Sequence, residues 1–287
     1  MTRRPRGAAL VLVLWLVALL TALVGAFALS ARVEHLQQRV QDENGRGEEI
    51  GRAAVAYAMW RLRPDPSRPA WQPDGRLYRW SFDGAQVDIR IEDEAGKVNP
   101  NLADAALLSG LLTALGETPE AAQQLAGAIL DWRDGDDLTQ PGGGAELGDY
   151  QAAGLPYGPR NARFETLGEL QRVLGMRPAL LRALRPLLTL HGRRARPDPR
   201  FARAPVLAAM GLDVELLLAQ RAAAQSGDPA LSPESLATGS GTYSIEVRVT
   251  DARGRTTRSL AVARNADNTA LGRAYTMLGW EQGMAVQ

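Results

Sequence analysis

An uninterrupted apolar stretch at residues 8–29 constrains the fold of this 287-residue chain more than any other feature. Twenty of these 22 residues are hydrophobic and none is charged. As a helix the stretch would be roughly 33 Å long at ~1.5 Å per residue, enough to cross the ~30 Å hydrocarbon core of a bilayer. Arg3, Arg4 and Arg6 precede it without any acidic residue, so the positive-inside rule places the N-terminus in the cytoplasm. The sequence therefore predicts one transmembrane helix, with the bulk of the chain on the opposite side of the membrane.

The segment in front of the apolar stretch resembles a type IV prepilin signal. A short basic leader ending in Arg6-Gly7 is followed directly by the long apolar segment that starts at Ala8. An ordinary cleaved signal peptide is the alternative, but its apolar region is shorter and is followed by a cleavage site of small residues. The resemblance implies that a prepilin peptidase cuts after Gly7, removes residues 1–7 and methylates the new N-terminus at Ala8.

Leu12 occupies the fifth position of the mature chain, where most members of the pilin family carry glutamate. Placing a glutamate in the hydrocarbon core of a membrane is unfavourable in free energy unless the carboxylate is paired. The resemblance implies that in pilins this glutamate pairs with the terminal amine of a neighbouring subunit. A chain with leucine there offers no such acceptor, and we therefore expect it to occupy an end of a filament.

Composition excludes several classes of protein. The 33 basic and 32 acidic residues give a net charge of +1, which argues against binding nucleic acid through the overall charge of the protein. The 45% hydrophobic content excludes a disordered or collagen-like chain. Without cysteine there is no disulfide framework, thiolate metal site or cysteine nucleophile. The two histidines, His35 and His191, lie in contexts that do not suggest a general base, so we predict that the protein is not an enzyme.

Periodicity after the apolar stretch predicts an α+β fold. The first helix continues to about Leu62 and ends before a proline-rich loop, and a hairpin turn at Asp83-Gly84 joins two short strands. Residues 97–236 have a helical pattern, and strands return only near the C-terminus. We therefore predict a pilin-like long helix packed on a small antiparallel sheet, with a large all-α domain inserted between the strands. The expected boundaries are 1–7 for the leader, 8–29 for the membrane helix, 30–95 for the pilin-like helix and first strands, 96–238 for the insert and 239–287 for the last strands.

A faint internal repeat lies within the predicted insert. Residues 98–108 resemble residues 197–207, and each is a turn rich in helix-capping residues that leads into an apolar helix. The spacing of about one hundred residues is too long for a solenoid. The repeat predicts two similar helical subdomains.

An acidic loop is the one candidate for site chemistry. Concentrated carboxylates on a glycine-rich loop suit a hard cation such as Ca²⁺, which takes about 6–8 oxygen ligands. Two other interpretations stay open: a solvated acidic loop, and pairing with the arginine-rich segment 160–203, where eleven arginines face three acidic residues. The candidate ligands are Asp131, Asp134, Asp136, Asp137, Glu146 and Asp149.

Five short segments of the sequence together match one known family. They are Gly96-Lys97-Val98-Asn99-Pro100-Asn101, Asp131-Trp132-Arg133-Asp134 with Asp136-Asp137, Leu155-Pro156-Tyr157, Leu167-Gly168-Glu169-Leu170 and Val173-Leu174-Gly175-Met176. On these segments the chain resembles the GspK family, the minor pseudopilins of type II secretion systems. The absence of glutamate from mature position five is also a feature of that family. The resemblance implies a tip subunit of the pseudopilus that associates with GspI-like and GspJ-like minor pseudopilins, anchored in the inner membrane with its bulk in the periplasm. It also implies Ca²⁺ on the six carboxylates of the acidic loop.

A membrane-anchored DNA-binding module is the alternative from another functional class. Residues 98–108 and 167–176 resemble parts of a helix-hairpin-helix motif, and the arginines of segment 160–203 could bind phosphates. The second hairpin ends in Leu174-Gly175-Met176, without the second glycine that lets backbone amides approach a phosphate. We therefore expect no nucleic-acid partner.

Overall fold

The computed structural model describes residues 8–225, 239–266 and 274–283. The leader, with the predicted cleavage residue Gly7, lies outside the described residues. Helix α1 runs from Ala8 to Arg61, close to the predicted end at Leu62. No helix among the described residues is both long enough and apolar enough to cross a membrane.

The last third of α1 packs on the antiparallel sheet. Its buried side chains lie on one face and include Ile50, Ala54, Val55, Ala58 and Met59. They contact the apolar residues of the central strands, so helix and sheet share one hydrophobic core. Pro64 follows the helix closely and, because proline lacks an amide hydrogen, prevents its continuation.

The sheet has five strands, each antiparallel to its neighbours, in the order of the sequence. The predicted hairpin turn is present: Asp83 and Gly84 both have positive φ, 49° and 75°, as a tight two-residue turn requires. The strand β5 was not predicted as such, because its apolar residues do not alternate regularly with polar ones. The mixed helix and antiparallel sheet is confirmed. The strands are β1 Asp74–Phe82, β2 Ala85–Asp93, β3 Thr242–Thr250, β4 Thr256–Asn265 and β5 Tyr275–Gln282.

Between β2 and β3 the described chain contains helices and turns but no strand of the sheet. These elements have a hydrophobic core of their own, centred on Leu111, Leu112, Leu170 and Leu207. The α-helices are α2 Ala105–Ala114, α3 Pro119–Arg133, α4 Leu147–Ala152, α5 Pro178–Leu184, α6 Ala204–Ala209 and α7 Val214–Gln225, and 3₁₀ turns occupy Glu94–Gly96, Leu167–Arg172 and Arg185–Leu187.

Two apolar runs of the sequence are each interrupted. The run 180–190 leaves the α-helix at Leu184, just before Pro186, and ends in a 3₁₀ turn. The run 206–218 divides into α6 and α7 because Gly211 adopts a φ of 72°, which ends α6 and turns the chain.

The two halves of the sequence repeat make matching hydrogen bonds. Asn99 Oδ1 accepts the amide hydrogen of the residue two positions on, and Asp198 Oδ1 does the same. An arginine from the second helix after each turn, α3 or α7, donates to two carbonyl oxygens of that turn: Arg133 to Pro100 and Ala103, and Arg221 to Pro199 and Ala202. Burial lowers the pKa of Arg133 and of Arg221. The turns lead into α2 and α6, which pack against each other.

Candidate metal centre

Three carboxylates converge where α3 ends and α4 begins. Asp131 and Asp134 lie at the C-terminal end of α3, and Glu146 immediately precedes α4. One oxygen from each of the three lies within 4.8 Å of the others. Asp131 is fully buried and Glu146 is 8% exposed, so two of the three charges are removed from solvent.

Glycines allow the loop between α3 and α4 to fold back onto α3. Gly142 and Gly143 have φ values of 95° and 116°, which other residues rarely adopt. The carbonyl oxygen of Gly143 sits against Gly127 on α3, where a Cβ atom would lie 1.7 Å from that oxygen. At Gly144 an added Cβ would lie 2.0 Å from Asp131 Oδ2. The glycine positions therefore bring Glu146 next to Asp131.

Backbone amides of the same loop hold Asp131 in place. Its Oδ2 accepts the amide hydrogen of Ala145 at an N–O distance of 2.7 Å, and its Oδ1 accepts that of Gln140 at 3.1 Å. The Gln140 side chain also donates to Asp134 Oδ2 at 3.0 Å. Gln140 and Ala145 were not among the sequence candidates, because a glutamine and an alanine in a loop carry no signal of a site.

The three carboxylates are electrostatically frustrated without a cation. Burial, followed by repulsion from Asp131 and Asp134, raises the pKa of Glu146 to about 7. Burial also raises the pKa of Asp131 and of Asp134. Asp134 Oδ1 and both carboxylate oxygens of Glu146 are buried and have no hydrogen-bond partner among the described residues. Oxygen donors in this condition fit a hard divalent cation.

The other predicted ligands lie outside this cluster. Asp136 and Asp137 are exposed on the loop; Asp136 accepts the amide hydrogen of Leu138, and Asp137 lies 3.5 Å from the Asn161 side-chain nitrogen. Asp149 is exposed on α4 and accepts the amide hydrogen of Glu146 at 2.9 Å. The structure thus brings together three of the six predicted carboxylates and gives Asp149 a role in starting α4.

Arginine pairing does not neutralise the cluster. In the described parts of the chain, no ion pair joins an arginine to Asp131, Asp134 or Glu146, and Arg160 pairs instead with Glu165 and Glu169. Trp132, next to Asp131 on α3, is 3% exposed and stacks on Phe164.

Comparison with known proteins places this site in a recognised family segment. Residues 89–193 match the family model for type II secretion system (T2SS), protein K. The type II secretion system protein K of Pseudomonas aeruginosa is 28% identical, over 73% of this chain and 69% of its own length. That of Pectobacterium carotovorum is 27% identical, over 65% of this chain and 63% of its own length.

One solved structure extends the likeness to the fold. A chain of the GspK–GspI–GspJ complex from the type 2 secretion system of enterotoxigenic Escherichia coli superposes with a TM-score of 0.60 at 18% identity, covering 87% of this chain and 100% of that one. The resemblance to the GspK family is therefore confirmed. The DNA-binding alternative finds no support in these comparisons, and the relatives are named as components of a secretion system.

Proposed function

Starting from this likeness to protein K of type II secretion systems, we propose that the chain is a minor pseudopilin that initiates or caps the pseudopilus in the export of folded proteins. One combination of features carries the proposal. A long N-terminal helix packs on an antiparallel sheet, and the segment that matches protein K begins in β2 and contains the acidic cluster.

The helical segment supports a position at the filament tip. We infer that residues 96–238 form an all-α domain inserted in the pilin-like part, which residues 30–95 and 239–287 provide. The separate hydrophobic core of the helices supports this division. A bulky domain in this place would obstruct another subunit from stacking above it, whereas a filament grows by repeated head-to-tail contacts.

The N-terminal segment supports an inner-membrane anchor. Along residues 11–25 of α1 the side chains are exposed, with Leu12 and Trp15 each 71% exposed, and so make few contacts within the chain. A single pass through residues 8–29 would keep the N-terminus cytoplasmic and the bulk of the chain periplasmic. Processing by a prepilin peptidase between Gly7 and Ala8 would leave this helix in the mature protein.

We propose Ca²⁺ as the ligand of the cluster formed by Asp131, Asp134 and Glu146. Three carboxylates supply fewer oxygens than the 6–8 that Ca²⁺ takes, so the remaining ligands would come from water or from neighbouring groups of the loop. The ion would offset the mutual repulsion of the carboxylates and stabilise the fold of the loop on α3. Its role is therefore structural.

Assembly tests the functional proposal. The full chain, co-expressed with the GspI-like and GspJ-like pseudopilins of the same organism, should copurify with both in mild detergent. Deletion of its gene should stop secretion, and the wild-type chain should restore it. Mass spectrometry of the purified chain should find Ala8 as a methylated N-terminus. Failure to copurify, together with normal secretion in the deletion strain, would contradict a tip role.

Melting tests the metal independently of assembly. Ca²⁺ at one hundred times its dissociation constant should stabilise the wild-type chain by about 2.7 kcal/mol relative to chelator. The variant Asp131→Asn should lose this response, whereas Glu165→Gln, which removes an exposed carboxylate outside the cluster, should keep it. A melting temperature that neither chelator nor Ca²⁺ changes would rule the site out.

A further inference from the structure

The chain leaves β2 and returns to β3 through one small polar joint, made by residues 93–97 together with Thr189, Ser240 and Ser244. Asp93 is the last residue of β2 and is 1% exposed. Its Oδ1 accepts the amide hydrogen of Ala95 at 2.8 Å and the Ser240 hydroxyl at 2.6 Å. Its Oδ2 accepts the Ser240 amide hydrogen at 2.6 Å. One carboxylate therefore ties together the two ends of the helical segment.

A buried ion pair completes the joint. Lys97 Nζ lies 2.7 Å from Glu94 Oε1 and donates to the Ser244 hydroxyl on β3 at 2.6 Å. Glu94 is 3% exposed. Burial alone would raise the pKa of Glu94, but the charge of Lys97 and hydrogen bonds from Thr189 and Ser244 hold it below its usual value. The ion pair thus joins the start of the helical segment to the centre of the sheet.

Backbone contacts continue the joint into the helical segment. Val98 donates to the Leu187 carbonyl at 2.9 Å, and Thr189 donates back to the Val98 carbonyl at 2.9 Å. Asp198 donates to the Ala95 carbonyl at 2.7 Å. Gly96 packs so tightly on Phe201 that a Cβ there would lie 2.4 Å from its backbone. Both turns of the internal repeat are therefore anchored to the same few residues.

We propose that this joint is an orientation lock, which fixes the helical segment at one angle on the sheet so that the two move as a single body. Buried carboxylates and ammonium groups are stable only while every partner is in place, because an uncompensated charge in the interior is strongly unfavourable. Small rotations of the helical segment would separate Lys97 from Ser244 on β3 and Asp198 from Ala95. The joint therefore has one favoured geometry, and a force on the sheet is passed directly to the helices.

The composition of the chain provides a direct probe of the joint. Lys97 is the only lysine in the sequence, and its side chain is 13% exposed. An amine-reactive reagent therefore has a single side-chain target, which peptide mapping separates from the N-terminal amine. In the folded full-length chain in mild detergent, Lys97 should react far more slowly than in urea, because reaction requires the joint to open.

Asp93→Ala should speed the labelling of Lys97 by about tenfold or more while the helix content stays native, since it removes three acceptor contacts of the joint. The matched control is Asp104→Ala, which removes the N-cap of α2 inside the helical segment and should leave the labelling rate unchanged. Should Asp93→Ala fail to fold, Ser240→Ala supplies the milder perturbation. Equal acceleration in the joint and control variants, or rapid labelling in the wild type, would overturn the proposal.

Distance measurements test the orientation itself. The chain has no cysteine, so spin labels can be placed at Glu120→Cys on α3 and Thr256→Cys on β4, both exposed positions. The wild-type background should give one narrow distribution of distances between the labels. The Asp93→Ala background should broaden it. An unchanged distribution in that variant would show that the joint does not set the orientation.

Discussion

The stability of the chain without Ca²⁺ should fall as the pH rises, and Glu146 should be responsible. Its carboxyl group has a pKa of about 7 in the folded chain, against 4.5 for an unperturbed glutamate. Between these values the folded chain keeps a proton that the unfolded chain has released, so unfolding becomes more favourable with increasing pH. At 1.36 kcal/mol per pH unit, the loss reaches about 3 kcal/mol above pH 7, most of it between pH 5 and pH 8.

The variant Glu146→Gln isolates this effect, because glutamine resembles the protonated carboxyl group and cannot ionise. In chelator at pH 8 the variant should be more stable than the wild type by about 3 kcal/mol, and by much less at pH 5. Added Ca²⁺ should reverse the order, since a bound cation favours the ionised carboxylate. The difference measures the electrostatic repulsion among three carboxylates, from each of which one oxygen lies within 4.8 Å of the others.

Urea unfolding of the full chain in mild detergent measures the difference, with tryptophan fluorescence as the signal because Trp132, next to Asp131 in the sequence, is buried. The control is Glu165→Gln, a carboxylate on an exposed side chain, which should follow the wild-type pH dependence. Equal stability of wild type and Glu146→Gln at pH 8 in chelator would show that ionisation of Glu146 does not destabilise the chain. So would a variant that keeps the wild-type pH dependence.

Three further changes test other parts of the structure. Gly144→Ala should destabilise the chain by about 2 kcal/mol or more in urea unfolding because the new Cβ would meet Asp131, whereas Gly148→Ala on α4, which has open space around it, should not destabilise the chain and should gain up to about 1 kcal/mol from helix propensity. Arg133→Met should cost about 2 kcal/mol in the same assay, because it leaves two carbonyl oxygens of the first repeat turn without their donor; an unchanged midpoint would contradict that role. Leu12→Glu should move the chain from the filament end to positions along the filament, and quantitative mass spectrometry of isolated filaments should find more copies; an unchanged copy number would contradict the end position.

Local sequence patterns predicted the secondary structure well at positions where a single residue type fixes the backbone conformation. The Asp83-Gly84 turn and the end of α1 before Pro64 follow from the preferences of these residues alone. The short strand β5 was missed because its edge position leaves half of its residues exposed, so no alternation of apolar and polar residues marks it. The apolar run 206–218, within the predicted helical pattern, divides into two short helices at Gly211, because apolar residues can be buried equally well in two short helices as in one.

The candidate metal centre shows what tertiary structure adds. Six carboxylates were plausible ligands from the sequence, because their chemistry is the same. Only the fold distinguishes Asp131, Asp134 and Glu146, which share a buried space, from Asp149, which accepts a backbone hydrogen bond on α4. The spacing of the carboxylates in the sequence did not show which three would meet. The loop from Asp134 to Glu146 reverses direction at glycines, and the backbone angles of these glycines depend on packing against Gly127.

Composition and short-range periodicity were enough to indicate an apolar N-terminal segment, an α+β body and an acidic loop. They could not indicate which groups far apart in the chain come into contact. Asp93 and Ser240 are 147 positions apart in the sequence and share hydrogen bonds. Lys97 donates a hydrogen bond to Ser244, which is also 147 positions away. Such contacts depend on the closure of a long helical segment onto a sheet, a property of the whole folded chain that no local pattern contains.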